Sequence, residues 1–159
     1  MTKKASEEER RSVQEDVDLY AQKADHYYRH GDPITAAGIY QQLSQYNPQY
    51  GKLRKKIIDE LRDNGDEDSL AIIMGKGDKK EAWKYANDLY KKGKKEQAAY
   101  ALISAGNYRL ARQIISELTK EGEDDKVGKL AMTLLQEKEG AKKRRAALQY
   151  EEQRQAQAA

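Results

Sequence analysis

The stretch Ala24-Asp25-His26-Tyr27-Tyr28-Arg29-His30-Gly31, followed by Ala36-Ala37, returns as Ala86-Asn87-Asp88-Leu89-Tyr90-Lys91-Lys92-Gly93 followed by Ala98-Ala99. Every matched position is shifted by 62. Small residue, aromatic, glycine and paired alanine keep their intervals, which marks a chain built from repeated supersecondary units. Such units stack on their neighbours and present extended surfaces rather than enclosed active sites. A helical repeat solenoid is therefore the expected architecture.

Composition agrees with a thin, elongated core. Charged residues are 36% of the chain and hydrophobic ones 38%. Phenylalanine is absent, so eleven tyrosines and the single tryptophan, Trp83, carry the aromatic packing. Tyrosine buries its ring while its hydroxyl reaches water or a backbone group. The absence of cysteine excludes disulfides, cysteine-ligated metals and a cysteine nucleophile. Residues 1–11 lack the apolar core of a secretory signal. The longest apolar run, Leu70 to Met74, is far short of the roughly 20 residues that span a bilayer. A soluble cytoplasmic chain with no membrane partner is expected. Net charge is +3, from 30 basic and 27 acidic residues mixed along the sequence.

Helix-plus-turn punctuation fits this reading. Gly31, Gly51, Gly65, Gly77, Gly93, Gly106 and Gly122 lie 12 to 20 residues apart, the spacing of helices stopped by a left-handed glycine. Apolar periodicity and caps predict eight helices: 12–30, 33–45, 51–63, 66–74, 79–92, 95–104, 107–120, and one starting near Glu123. Residues 1–11 read as a disordered lead and residues 12–137 as the helical repeat domain. The apolar pattern fades after Leu135, so residues 138–159 read as a charged tail, helical or frayed.

The first hairpin resembles a tetratricopeptide repeat. Residues 17–50 have its length of ~34 residues. Tyr20, Ala24, Tyr27, Gly31, Ala36, Tyr40 and Pro48 stand where the family has its aromatic, small, bulky, glycine, alanine, aromatic and proline positions. Lys23 and Leu43 depart from the usual leucine and alanine. A second unit, 79–112, matches through Tyr85, Ala86, Leu89, Gly93, Ala98, Leu102 and Ala105. Its departures are Ala82 for the large aromatic and Leu110 for proline. The 28 residues between the units fall short of a full repeat.

The resemblance implies an all-α, right-handed solenoid of antiparallel helix hairpins, with a concave groove lined by the first helix of each repeat. Carried over, the lining is Asp18, Ala21, Asp25, Tyr28 and Arg29, then Lys80, Trp83, Asn87, Tyr90 and Lys91. Of these, Asp25, Tyr28, Arg29, Trp83, Asn87, Tyr90 and Lys91 form the candidate partner-binding set. Tryptophan, tyrosine and arginine are also the residue types that dominate binding hot spots. The function implied is a noncatalytic adaptor or scaffold that takes a protein or peptide segment. The alternative for Trp83 and Tyr90 is plain packing on the neighbouring repeat.

Other features point elsewhere. His26 and His30 share one helix face, a two-imidazole spacing for a metal, but no third ligand is evident, and no metal or cofactor is expected. Gly75-Lys76-Gly77-Asp78 resembles a phosphate loop only faintly, lacking the full glycine spacing and the Lys-Ser/Thr pair. It reads as a helix connector. Three basic clusters remain, Arg54-Lys55-Lys56, Lys91-Lys92 with Lys94-Lys95, and Lys142-Lys143-Arg144-Arg145; the first and last are candidate nucleic-acid contacts that would grip phosphates in a salt-dependent way. They support a rival function, association with RNA or the ribosome. Self-association is open, since a second copy can cover an apolar groove. No nucleophile–base–orienter set is visible, so an enzyme is not expected.

Overall fold

A computed structural model describes residues 6–158. Among them the chain forms eight helices and no strand: α1 (Glu7–Arg29), α2 (Pro33–Leu43), α3 (Pro48–Asp63), α4 (Glu67–Gly75), α5 (Lys79–Lys91), α6 (Lys95–Ser104), α7 (Tyr108–Lys120) and α8 (Asp124–Ala158). The all-helical class expected from the periodicity is the one found. The chain divides into two compact units, one ending at Ile73 and the other starting at Met74. No helix among the described residues is long and apolar enough to cross a membrane.

The turns follow from a repeated local chemistry. After α1, the Gly31 N–H bonds the Tyr28 carbonyl at 3.2 Å and the Asp32 N–H bonds the Tyr27 carbonyl at 2.9 Å. This is the Schellman closure, which needs a left-handed residue, and Gly31 has φ +82°. The same pair of bonds, around Gly65, Gly93, Gly106 and Gly122, closes α3, α5, α6 and α7. Asp32, the residue after Gly31, starts the next helix: its carboxylate accepts from the Thr35 N–H at 3.0 Å. Asn107 caps α7 in the same way through the Leu110 N–H. Gly51 departs from this scheme and lies inside α3, which begins instead at Pro48 behind an Asn47 cap.

Residues 1–5 of the expected disordered lead lie outside the described residues. The rest of that expectation is corrected, because α1 starts at Glu7. Ser6 and Glu9 form a capping box, with the Glu9 N–H donating to Ser6 Oγ at 3.2 Å and the Ser6 N–H to Glu9 Oε2 at 3.1 Å. Three acidic residues in the first turn also favour this helix end.

In the first unit α2 packs against both α1 and α3. Ala24, Ala36 and Ala37 are fully buried; side chains this small let two helix backbones approach closely. In the second unit α6 packs against α5, α7 and α8. A helix touched on three sides must be apolar nearly all round, and Ala98, Ala99, Tyr100, Ala101, Leu102 and Ile103 are all buried. Gly75 closes in on this helix. A Cβ there would overlap the Ala101 carbonyl oxygen and sit 2.8 Å from Ser104 Cβ. The glycine of the faint phosphate-loop pattern thus serves close backbone packing.

α8 changes character along its length. Val127, Leu130, Leu134, Glu137 and Ala141, spaced as one helix face, have reduced exposure, and Leu130 is fully buried. From Lys142 to Ala158 every residue is exposed. The expected charged tail is thus a continuation of α8, roughly 25 Å of helix at about 1.5 Å per residue.

Candidate functional site

The second unit carries a groove between α5 and α7, with α6 beneath it. On α5 the residues spaced by one or two turns, Trp83, Ala86, Asn87 and Tyr90, form one wall. Leu110, Gln113, Ile114 and Glu117 of α7 form the other, and Leu102 of α6 lies between. Ala86, Leu102 and Ile114 are buried and make an apolar floor. The cavity they enclose is about 290 Å³. A second hollow of about 340 Å³ adjoins it, lined by Lys79, Trp83, Leu102, Ala105, Gly106 and Asn107. Trp83 and Leu102 belong to both, so the indole stands between two small apolar hollows.

Trp83 is 55% exposed, which sets it apart from the core. Its neighbours on the buried side of α5, Ala82 and Ala86, are at 1% and 2%. Plain packing would cover most of an indole; here the ring is a wall open to solvent. Trp83 therefore leaves apolar surface open to solvent beside an apolar floor.

The far end of the groove is polar and already organised. The Tyr90 hydroxyl donates to the Glu117 carboxylate, 2.9 Å from Oε1 and 3.0 Å from Oε2. Lys95 Nζ lies 3.4 Å from the same carboxylate and pairs more closely with Glu121. The bond to Glu117 holds the Tyr90 phenol above its ordinary range, because ionisation would place two anions side by side. Lys95 is likewise pushed up, chiefly by its bond to Glu121. Tyr90 is therefore both a lining residue and a packing residue. Asn87 and Gln113 remain as amide groups on opposite walls.

The remaining candidates fall differently. Lys91 is exposed on α5 and does not line the cavity. In the first unit, Asp25 and Arg29 pair with each other at 2.9 Å, one turn apart on α1. Tyr28 is half-buried between them in sequence. Burial, and after it the Asp25 carboxylate, pushes the neighbouring Tyr40 phenol up, and Tyr40 stacks on Tyr50 with centroids 6.1 Å apart. A hollow of about 380 Å³ in this unit lies further along α1, among Val13, Val17, Tyr20, Leu43 and Tyr46. It contains none of the three.

Arg54, a candidate nucleic-acid contact, is half-buried, and its Nη2 lies 3.5 Å from the Ile73 carbonyl. Lys55 and Lys56 stay exposed on α3, and Lys142, Lys143, Arg144 and Arg145 on the projecting part of α8. His30 Nδ1 lies 2.7 Å from the His26 carbonyl, and the two rings lie 4.0 Å apart. No group of three or more metal-ligating side chains occurs among the described residues.

No protein-family model matches this chain, and neither a curated protein nor a solved structure matches it.

Proposed function

We propose that the chain is a noncatalytic, cytoplasmic adaptor with a tetratricopeptide-like, right-handed solenoid arrangement, and that a partner's segment seats in the groove between α5 and α7. The observation that carries this reading is the cavity in which Trp83, Asn87 and Tyr90 face Leu110, Gln113, Ile114 and Glu117. An exposed indole supplies apolar contact. The two amides can pair with the backbone of an inserted segment, replacing the water it loses on docking. The cavity is at the small end of ligand pockets (about 300–1,000 Å³), a size for one or two side chains rather than a large cofactor. The test is co-purification with a Trp83→Ala, Asn87→Ala double variant whose helical content is unchanged. Loss of a partner that the parent chain retains supports the reading; full retention of every partner refutes it.

A second reading keeps RNA or ribosome association, carried by Lys142, Lys143, Arg144 and Arg145 on a helix segment exposed all round. Phosphate contacts of this kind weaken steeply with salt. Partners that stay bound in high salt and after nuclease treatment rule it out.

A further inference from the structure

Charge around the groove is segregated, although charge along the sequence is mixed. An α-helix turns by about 100° per residue, which places Lys80, Lys84 and Lys91 about 60° to 100° round α5 from Trp83, on the side away from buried Ala82 and Leu89. The acids of α5, Glu81 and Asp88, fall further round, at about 140° to 160°. On α7 the same construction puts Arg109 and Lys120 about 80° to 100° from Leu110, on the side away from buried Ala111 and Leu118. Both solvent-side shoulders of the groove are therefore basic. Lys79 adds a further cation in the hollow beside Trp83.

These side chains are exposed, and none of them enters the ion pairs of this unit. The acid inside the groove, Glu117, is already matched by the Tyr90 hydroxyl and by Lys95. Glu121, the C-cap residue just past α7, also pairs with Lys95. The groove thus has an apolar floor, an acidic end where Lys95 is shared by Glu117 and Glu121, and, among the described residues, exposed cations outside those ion pairs along both lips.

We propose that the occupant is an acidic amphipathic protein segment: its large apolar side chains enter the hollows on either side of Trp83, and its carboxylates face the lysines and arginine of the lips. The inference rests on the groove being the binding site and adds the chemical class of what it binds. A nucleic acid would satisfy the lips but not the floor, which is built of Ala86, Leu102 and Ile114. Charge of this kind steers the encounter and rejects like-charged partners more than it adds to the apolar contact.

The experiment uses Trp83 itself, the single tryptophan, as the reporter. The full chain is titrated with a short peptide carrying two leucines one helical turn apart among glutamates. Parallel titrations use its lysine and glutamine analogues and a short oligouridylate. A saturable change in Trp83 emission is expected with the glutamate peptide, at least about tenfold tighter than with either analogue. Lys80→Glu, Lys91→Glu and Arg109→Glu together, all exposed and outside the core, are expected to reverse the preference. If the analogues bind as well as the glutamate peptide, the acidic class is wrong while the groove survives. If oligouridylate alone saturates the signal, the partner is a nucleic acid and the proposal falls. If no peptide moves Trp83 emission, the groove reading falls with it.

Discussion

One substitution, made at two places, tests the packing of the second unit by the sign of its effect. Gly128 lies inside α8, and a Cβ built there meets nothing within 4 Å. Replacing it with alanine removes backbone freedom from the unfolded chain at no steric cost. A gain of about 0.5–1 kcal/mol is expected. Gly75 ends α4, so alanine gains less there from helix propensity. Its Cβ would overlap the Ala101 carbonyl oxygen and crowd Ser104 Cβ at 2.8 Å. Neither a backbone oxygen nor a Cβ can swing aside as the tip of a flexible side chain would. Overpacking of this kind costs about 1–3 kcal/mol, which outweighs any propensity gain. For a chain of this length each kcal/mol shifts Tm by roughly 2–4 °C. Gly128→Ala should therefore raise Tm slightly in a circular-dichroism melt, and Gly75→Ala should lower it by several degrees. A Gly75→Ala protein as stable as its parent would refute the close approach of Gly75 to α6.

Tyr90 gives a pH prediction. Its bond to Glu117 raises the folded phenol above the ordinary value of about 10. The stabilisation is then fully present below the unfolded value and is lost as pH rises through the folded one. The 13Cζ signal of Tyr90 should titrate above a free phenol, and Glu117→Gln should move it back down; an unchanged midpoint contradicts the bond. Lys95, also raised, loses its contribution over the same alkaline range. At the other end of the chain, Ser6→Ala removes the acceptor for the Glu9 N–H and should cost about 0.5–2 kcal/mol of local helix stability. Hydrogen exchange at Glu9 should accelerate while that at Ala24 stays unchanged.

Much of the fold is legible in the sequence because the local chemistry is strong. The bounds of α6, Lys95 to Ser104, follow from its flanking glycines and its dense apolar run. The start of α1 is less legible. The Ser6–Glu9 capping box is present in the sequence, but no apolar residue lies between Ser6 and Val13 to mark a buried face. α3 hides its start for a related reason: Asn47-Pro48 is a cap followed by a first-turn proline, while Gly51, about one turn further on, looks like a stop. Half of the groove follows from helical spacing, which puts Trp83, Asn87 and Tyr90 on one side of α5. The facing wall does not. Leu110 and Ile114 read as core, and nothing local tells that Glu117 meets Tyr90 across 27 residues of sequence. The first unit shows the limit of carrying positions over by analogy. Asp25 and Arg29 occupy equivalent sites, but they close on each other as an ion pair.

The central claim is that a partner segment lies against Trp83 between α5 and α7. A photo-crosslinking residue placed at Gln113, on the groove wall, and separately at Glu81, on the far side of α5, tests it directly in the full chain. A crosslinked partner is expected from position 113, absent from position 81, and lost when Trp83→Ala is added. Equal crosslinking from both positions, or crosslinking from position 113 that survives the loss of Trp83, would contradict the claim.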